Sequence, residues 1–137
     1  MRYAYLPGAT LHETKLDDVD LGNALLTDAD LSGAEIRKAN LKGAKIYRAE
    51  FFETQLAESD FTESELSGTA FKNVDLRQTV ITQGQLDKTF GDGSVKLPDH
   101  LQRPDFWPKE DLDWIEFEAR WRAWREERGY VTDTDDD

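Results

Sequence analysis

The chain has 137 residues and 15.7 kDa, room for one ordinary domain with a real core. Its 17 basic and 29 acidic residues give a net charge of -12, which argues against nucleic-acid phosphates or anionic membrane as the main partner. It has no cysteine, so disulfides, thiolate metal sites and cysteine nucleophiles are excluded.

The first element begins at the N-terminus. A large apolar residue stands at every fifth position: Leu6, Leu11, Leu16, Leu21, Leu26, Leu31, Ile36, Leu41, Ile46, Phe51, Leu56, Phe61, Leu66, Phe71, Leu76, Ile81 and Leu86. Two residues before each of these centres sits a smaller one, alanine from Ala24 through Ala49, then Thr54, Ser59, Ser64, Thr69, Val74, Thr79 and Gly84. The other three positions are mostly polar. A period of five matches neither the 3.6 of a helix nor the 2 of a long strand, so it demands a turn in every unit.

Units such as Ala29-Asp30-Leu31-Ser32-Gly33 and Ala39-Asn40-Leu41-Lys42-Gly43 resemble the A-(D/N)-L-x-x unit of the pentapeptide-repeat family. The resemblance covers residues 1–90 and implies an all-β solenoid, a right-handed quadrilateral β-helix with about 20 residues per coil. The centre and the small residue of each unit would then both point inward. Leu31, Phe51 and Phe71 would form one vertical file, and Leu41, Phe61 and Ile81 the opposite one. A narrow tube has room for one large side chain per edge, which is why its inward neighbour must be small. Buried hydroxyls at 54, 59, 64 and 69 would need carbonyl partners.

The 20-residue coil also predicts charge columns. Arg37 falls above Asp17, Lys38 between Asp18 and Glu58, Arg48 above Asp28, Lys45 below Glu65 and Lys15 below Glu35, each of opposite sign. Exposed pairs contribute only about 0 to 1 kcal/mol each, so their use is register. Leu25, Tyr47 and Phe52 occupy wall positions that should face water, and Tyr47 and Phe52 mark a candidate partner surface, with Lys72 stacked above Phe52.

The expected centres at 91 and 96 are Gly91 and Lys96, so the tube should stop near residue 90. Residues 91–107, rich in Gly and Pro, read as an ordered connector. From Thr89 to Trp107 the layout resembles the tail of some bacterial pentapeptide-repeat proteins. Residues 108–130 read as a C-terminal α-helix, with Pro108 in the first turn, acids early, bases late and Gly129 at the stop. Trp114, Phe117, Trp121 and Trp124 share one face. That face either folds over the last coil as a cap or forms a dimer or partner interface. Residues 131–137 read as an acidic tail. The first coil has nothing ahead of it to shield its end, so a homodimer through one end is expected.

No catalytic, cofactor or metal site is expected. His12 falls on the outside of the wall and His100 in the connector, while Asp17, Asp18 and Asp20 lack the glycine and distal glutamate of a calcium loop. Gly8, Gly33, Gly43 and Gly68 recur at one repeat position, where they ease a turn. With no signal-peptide or membrane-spanning run, the chain is expected to be soluble and cytoplasmic. The expected function is a non-catalytic protein-protein interaction module. The resemblance also implies an alternative, a DNA-mimicking binder that inhibits or protects a type II topoisomerase, DNA gyrase. Charge weakens it: residues 1–90 carry 15 acidic and 10 basic side chains, net -5, against about 12 phosphate charges on roughly 20 Å of duplex.

Overall fold

In the computed structural model, which describes residues 2–130, the chain turns once in every five residues. The centre carbonyl accepts a hydrogen bond from the amide three residues on, as Leu6 does from Ala9 at 3.1 Å. The third residue of each such turn has positive φ, the signature of a type II turn. Glycine serves at positions such as Gly8 and Gly43, but Glu13, Asp18, Asn23, Lys38 and Arg48 adopt the same conformation. A side chain there costs on the order of 1 kcal/mol, so stacking of coils, not local preference, must hold these turns.

Four units close one coil. Tyr5 bridges Leu25, Thr10 bridges Asp30, Lys15 bridges Glu35 and Asp20 bridges Asn40, all parallel and all 20 residues apart. The rungs bond both ways, for example Leu11 N–H to the Asp30 carbonyl at 2.7 Å and Asp30 N–H to the Ala9 carbonyl at 2.9 Å. Pairing extends to full strands at β1 (Glu50–Phe52) and β2 (Ala70–Lys72), where Phe51 lies opposite Phe71.

The interior is filled. Leu31, Phe51 and Phe71 are buried on one side, and the Phe51 and Phe71 rings stack at 5.3 Å. Leu41, Phe61 and Ile81 are buried too, and Phe61 meets Phe51 edge-on at 6.1 Å. The buried hydroxyls divide into two kinds. Thr54, Ser59 and Thr69 donate to the carbonyls of Leu31, Ile36 and Ile46 one coil below. Ser64, Thr79 and Thr89 donate to the centre of their own turn.

Three charge columns close into ion pairs: Arg37 with Asp17 at 2.9 Å, Arg48 with Asp28 at 2.8 Å and Lys38 with Glu58 at 4.0 Å. The other two are in register as bridges but pair differently. Glu35 lies 3.5 Å from Arg37, and Glu65 takes the Tyr47 hydroxyl.

The C-terminal part departs from expectation in three ways. First, the last side of the wall becomes α1 (Gln83–Leu86), capped by Thr82 and Gln85. The Gln85 side-chain amide donates to the Phe61 and Ser64 carbonyls at 2.7 and 2.9 Å, replacing a strand's amides. Second, the wall continues past residue 90. Phe90 bridges Ala70, and after one inserted residue Lys96 bridges Asp75. Val95 is buried in the tube core, so the connector begins as part of a further coil. Third, helix α2 runs over Trp114–Arg128 and not from 108. Residues 108–113 are held off the helix because Glu110 accepts from Gly93 N–H at 2.8 Å and Leu112 N–H donates to the Asp92 carboxylate at 2.9 Å. Asp113 caps the N-terminus and Gly129, at φ 78, ends the helix. The expected acidic tail at 131–137 lies outside the described residues.

Trp107 closes the end of the tube. It is buried in the same core cluster as the repeats, and its indole N–H donates to the Thr89 carbonyl at 2.8 Å. Leu97, Leu101 and Phe106 pack beside it. The aromatic helix is therefore not the end cap: it lies along a wall.

Candidate interaction surfaces

Wall side chains come from the three outward positions of each unit, so the turns fix their spacing. One wall is covered. Phe52, Ala70 and Phe90 project from it, and Phe117, Trp121 and Trp124 of α2 bury against them. Phe52 meets Trp114, Phe117 and Trp121 at ring separations of 5.2, 5.6 and 5.9 Å. The Trp121 indole donates to the Gly68 carbonyl at 2.8 Å. Apolar wall residues and an apolar helix face thus satisfy one another. Of the aromatic interface candidates, Phe52, Phe117, Trp121 and Trp124 are buried within the chain, and Trp114 alone keeps substantial exposure, 40%.

Beneath the helix start lies a charged latch. Lys72 does not lie over Phe52 as a surface cover; it is itself buried, with Nζ 2.6 Å from Asp92 and 2.8 Å from Asp111. Its ammonium also sits 5.3 and 5.2 Å from the Trp114 and Phe117 rings. Asp92 accepts from Lys72, from both Ser94 N–H and hydroxyl, and from Leu112 N–H. Burial alone would raise the Asp92 carboxyl, but these donors outweigh it and hold it below the usual aspartate range. Burial would likewise lower Lys72, and its two carboxylates overcome that and raise it. The signal was present in the sequence: Asp92 stands 20 residues after Lys72, in the column that begins with Phe52.

Beside Trp121, a small polar hollow of about 230 Å³ is lined by Arg48, Glu50, Glu118, Arg122 and Arg125, among others. Burial, then the charges of Asp30 and Glu118, push the Glu50 carboxyl up to about 6 against the opposing pull of Arg125.

The remaining walls are open. Tyr47 is half-buried in a groove of about 390 Å³ with Glu65, Thr82, Gln85 and Lys88. Burial, and then its bond to Glu65, pushes its hydroxyl up to about 12. A larger groove, about 480 Å³, lies over Arg37, Thr54, Gln55, Asn73, Asp75 and Gln78. His12 and His100 are exposed and lie on different parts of the molecule. Asp17 is engaged by Arg37, whose hydrogen bonds lower its carboxyl, and Asp20 by Gly22 N–H and Asn40. Among the described residues no group of His, Asp and Glu is placed to hold a metal ion, and no helix is long and apolar enough to cross a membrane.

The decisive observation is the fivefold register of turns, read against known repeats. The family model for pentapeptide repeats matches in 8 copies over residues 4–43, 14–51 and 48–78. The chain belongs to the pentapeptide-repeat family. Solved pentapeptide-repeat structures share its β-solenoid fold. One, from the Arabidopsis thaliana thylakoid lumen, is 23% identical over 66% of this chain and 58% of its own, with a TM-score of 0.49. Another, from Nostoc Pcc 7120, is 22% identical over 74% of this chain and 93% of its own, TM-score 0.44. QnrB1, a plasmid-mediated fluoroquinolone resistance protein, is 17% identical over 96% of this chain and 64% of its own, TM-score 0.39. The chain thus spans little more than half the length of the thylakoid-lumen protein. No curated protein matches it.

Proposed function

We propose that this pentapeptide-repeat protein is a non-catalytic protein-protein interaction module, a right-handed four-sided β-helix whose uncovered walls dock a protein partner. One observation carries the reading: the interior is packed shut, so the fixed chemistry of the molecule lies on its outer walls. There, side chains recur at one-strand spacing on a scaffold whose coils bond to each other on every side. Such an array suits an extended partner surface better than a small substrate. The grooves over Gln55 and beside Tyr47 are its concave parts.

The alternative of a gyrase-binding DNA mimic is less well supported. Arg37, Lys38, Lys42 and Arg48 each pair with a wall carboxylate, which breaks up any continuous anionic stripe. Affinity capture from lysate with the wild type and with Gln55→Arg and Tyr47→Ala variants tests the module. A partner retained by the wild type and lost with one of these substitutions supports it. Retention of the same proteins by all three, or of none, removes the walls from consideration. A gyrase supercoiling assay tests the mimic in parallel.

A further inference from the structure

The two ends of the solenoid differ. Trp107, Val95 and their neighbours bury the C-terminal end, whereas Leu6, Leu11 and Leu16, with Ala4 and Val19, remain only half-buried. Their counterparts one coil on, Leu26, Leu31, Ile36, Ala24 and Ala39, are at most 2% exposed. Tyr5, Thr10, Lys15 and Asp20 each bridge a residue on one side alone, the next coil, and the other edge of this coil is open. The end is thus a ring of free strand edges around an apolar centre.

We propose that this face pairs with the same face of a second copy of the chain about a two-fold axis. The face is a ramp, because one coil climbs about 4.8 Å over its four sides. Of the ways to oppose two such ramps about a two-fold, only one keeps the gap uniform. It sets the first side of one copy on the fourth of its mate and the second on the third, running antiparallel. Opposed residue numbers then add to 25.

That register has two consequences, neither used in deriving it. Each large centre meets a small inward residue: Leu6 meets Val19 of the second copy, Leu11 meets Thr14, Leu16 meets Ala9 and Leu21 meets Ala4. The rule that keeps the tube filled within a chain is thus preserved across the interface. On the rim, Tyr5 faces Asp20, His12 faces Glu13, Thr10 faces Lys15, and Asp17 and Asp18 face Gly8 and Pro7. No like charges oppose each other. The two axes that pass through the middles of sides would instead set Lys15 on Lys15 or Asp20 on Asp20. Self-complementarity of this kind is what an isologous contact needs. One coil's cross-section is small for a specific interface, so the pairing is concentration-dependent.

Sedimentation equilibrium between about 1 and about 500 µM spans the association range of a small interface. The expected mass rises from 15.7 kDa toward twice that value. T10K sets two lysines against each other twice and should stay monomeric; T10K/K15E restores opposite charges and should dimerise again. Thr10 and Lys15 are both exposed, and the folding of each variant is checked by its unchanged thermal midpoint. A wild type that stays monomeric throughout, leaving the face to some other occupant, overturns the proposal. So does a dimer that T10K leaves intact, or one that the double variant fails to recover.

Discussion

The indole of Trp107 lies where a side chain of residue 91 would be: a Cβ on Gly91 would fall 2.6 Å from its ring. Gly91 stands at the next expected centre of the repeat, so the missing large residue is supplied from 16 positions downstream by the closing tryptophan. Backbone that would have carried a leucine inward instead gives way to a ring that covers the end. Gly91→Ala is expected to destabilise the fold by about 1–3 kcal/mol through overpacking. Trp107→Ala should cost about 3–5 kcal/mol and expose the last coil. Urea unfolding measures both losses, and binding of an apolar dye should rise for the tryptophan variant alone.

The Lys72–Asp92 pair joins wall and connector, and Asp111 brings in the segment leading to α2. Removing one member leaves its mate buried and short of partners, a loss of about 3–5 kcal/mol. Asp92→Asn is therefore expected to lower stability far more than Asp75→Asn, whose arginine partner is exposed. The pH sign follows from the shifts. Asp92 titrates below an unfolded aspartate, so its contribution is present above the ordinary aspartate range and is lost as pH falls through its lower folded value. Lys72 is raised, so its share persists up to the ordinary lysine range and is lost as pH rises through the folded value. Urea midpoints against pH should show the wild type falling more steeply in acid than Asp92→Asn.

The solenoid was legible because a fivefold period has few physical solutions, and because inward residues repeat with it. Leu31, Phe51 and Phe71 reveal their common direction by spacing alone. The C-terminal third was not legible in the same way. The stripe of Trp114, Phe117, Trp121 and Trp124 shows that one face of α2 is buried, but not which apolar surface meets it. Phe52 and Phe90, both in outward register, held that information. The coil end and the wall compete for the helix, and Trp107, which lies outside any periodic pattern, had already taken the end. Lys72 reads as surface because lysine is rarely buried. Its acidic partners lie 20 and 39 residues on, the second outside the repeat.

Ser59 and Ser64 occupy the same repeat position but differ in what depends on them. The Ser59 hydroxyl accepts from Ala39 N–H at 3.3 Å and donates to the Ile36 carbonyl, bridging a turn in the coil below. Ser64 donates to the Phe61 carbonyl, which also takes Ser64 N–H and the Gln85 amide. Ser59→Ala strands a buried amide and should cost about 1–3 kcal/mol, whereas Ser64→Ala should cost no more than about 1 kcal/mol. Equal losses in urea unfolding would contradict this assignment of the two hydroxyls.

Glu50 is the wall carboxylate that works against the fold at neutral pH. Its side chain is partly buried near Asp30 and Glu118, and its carboxyl is pushed up to about 6 from an ordinary 4.5. A carboxyl raised in the folded state favours folding while protonated. That benefit is complete below the unfolded value and disappears as pH rises through about 6. Ionised Glu50 therefore costs about 2 kcal/mol relative to its neutral form. Glu50→Gln removes the titration while keeping shape and hydrogen-bonding capacity. The variant is expected to gain up to about 2 kcal/mol over the wild type near pH 8 and to lose that advantage near pH 4. Parallel urea titrations of the two proteins across this range supply the measurement. A constant difference between them would show that Glu50 titrates as it does in the unfolded chain.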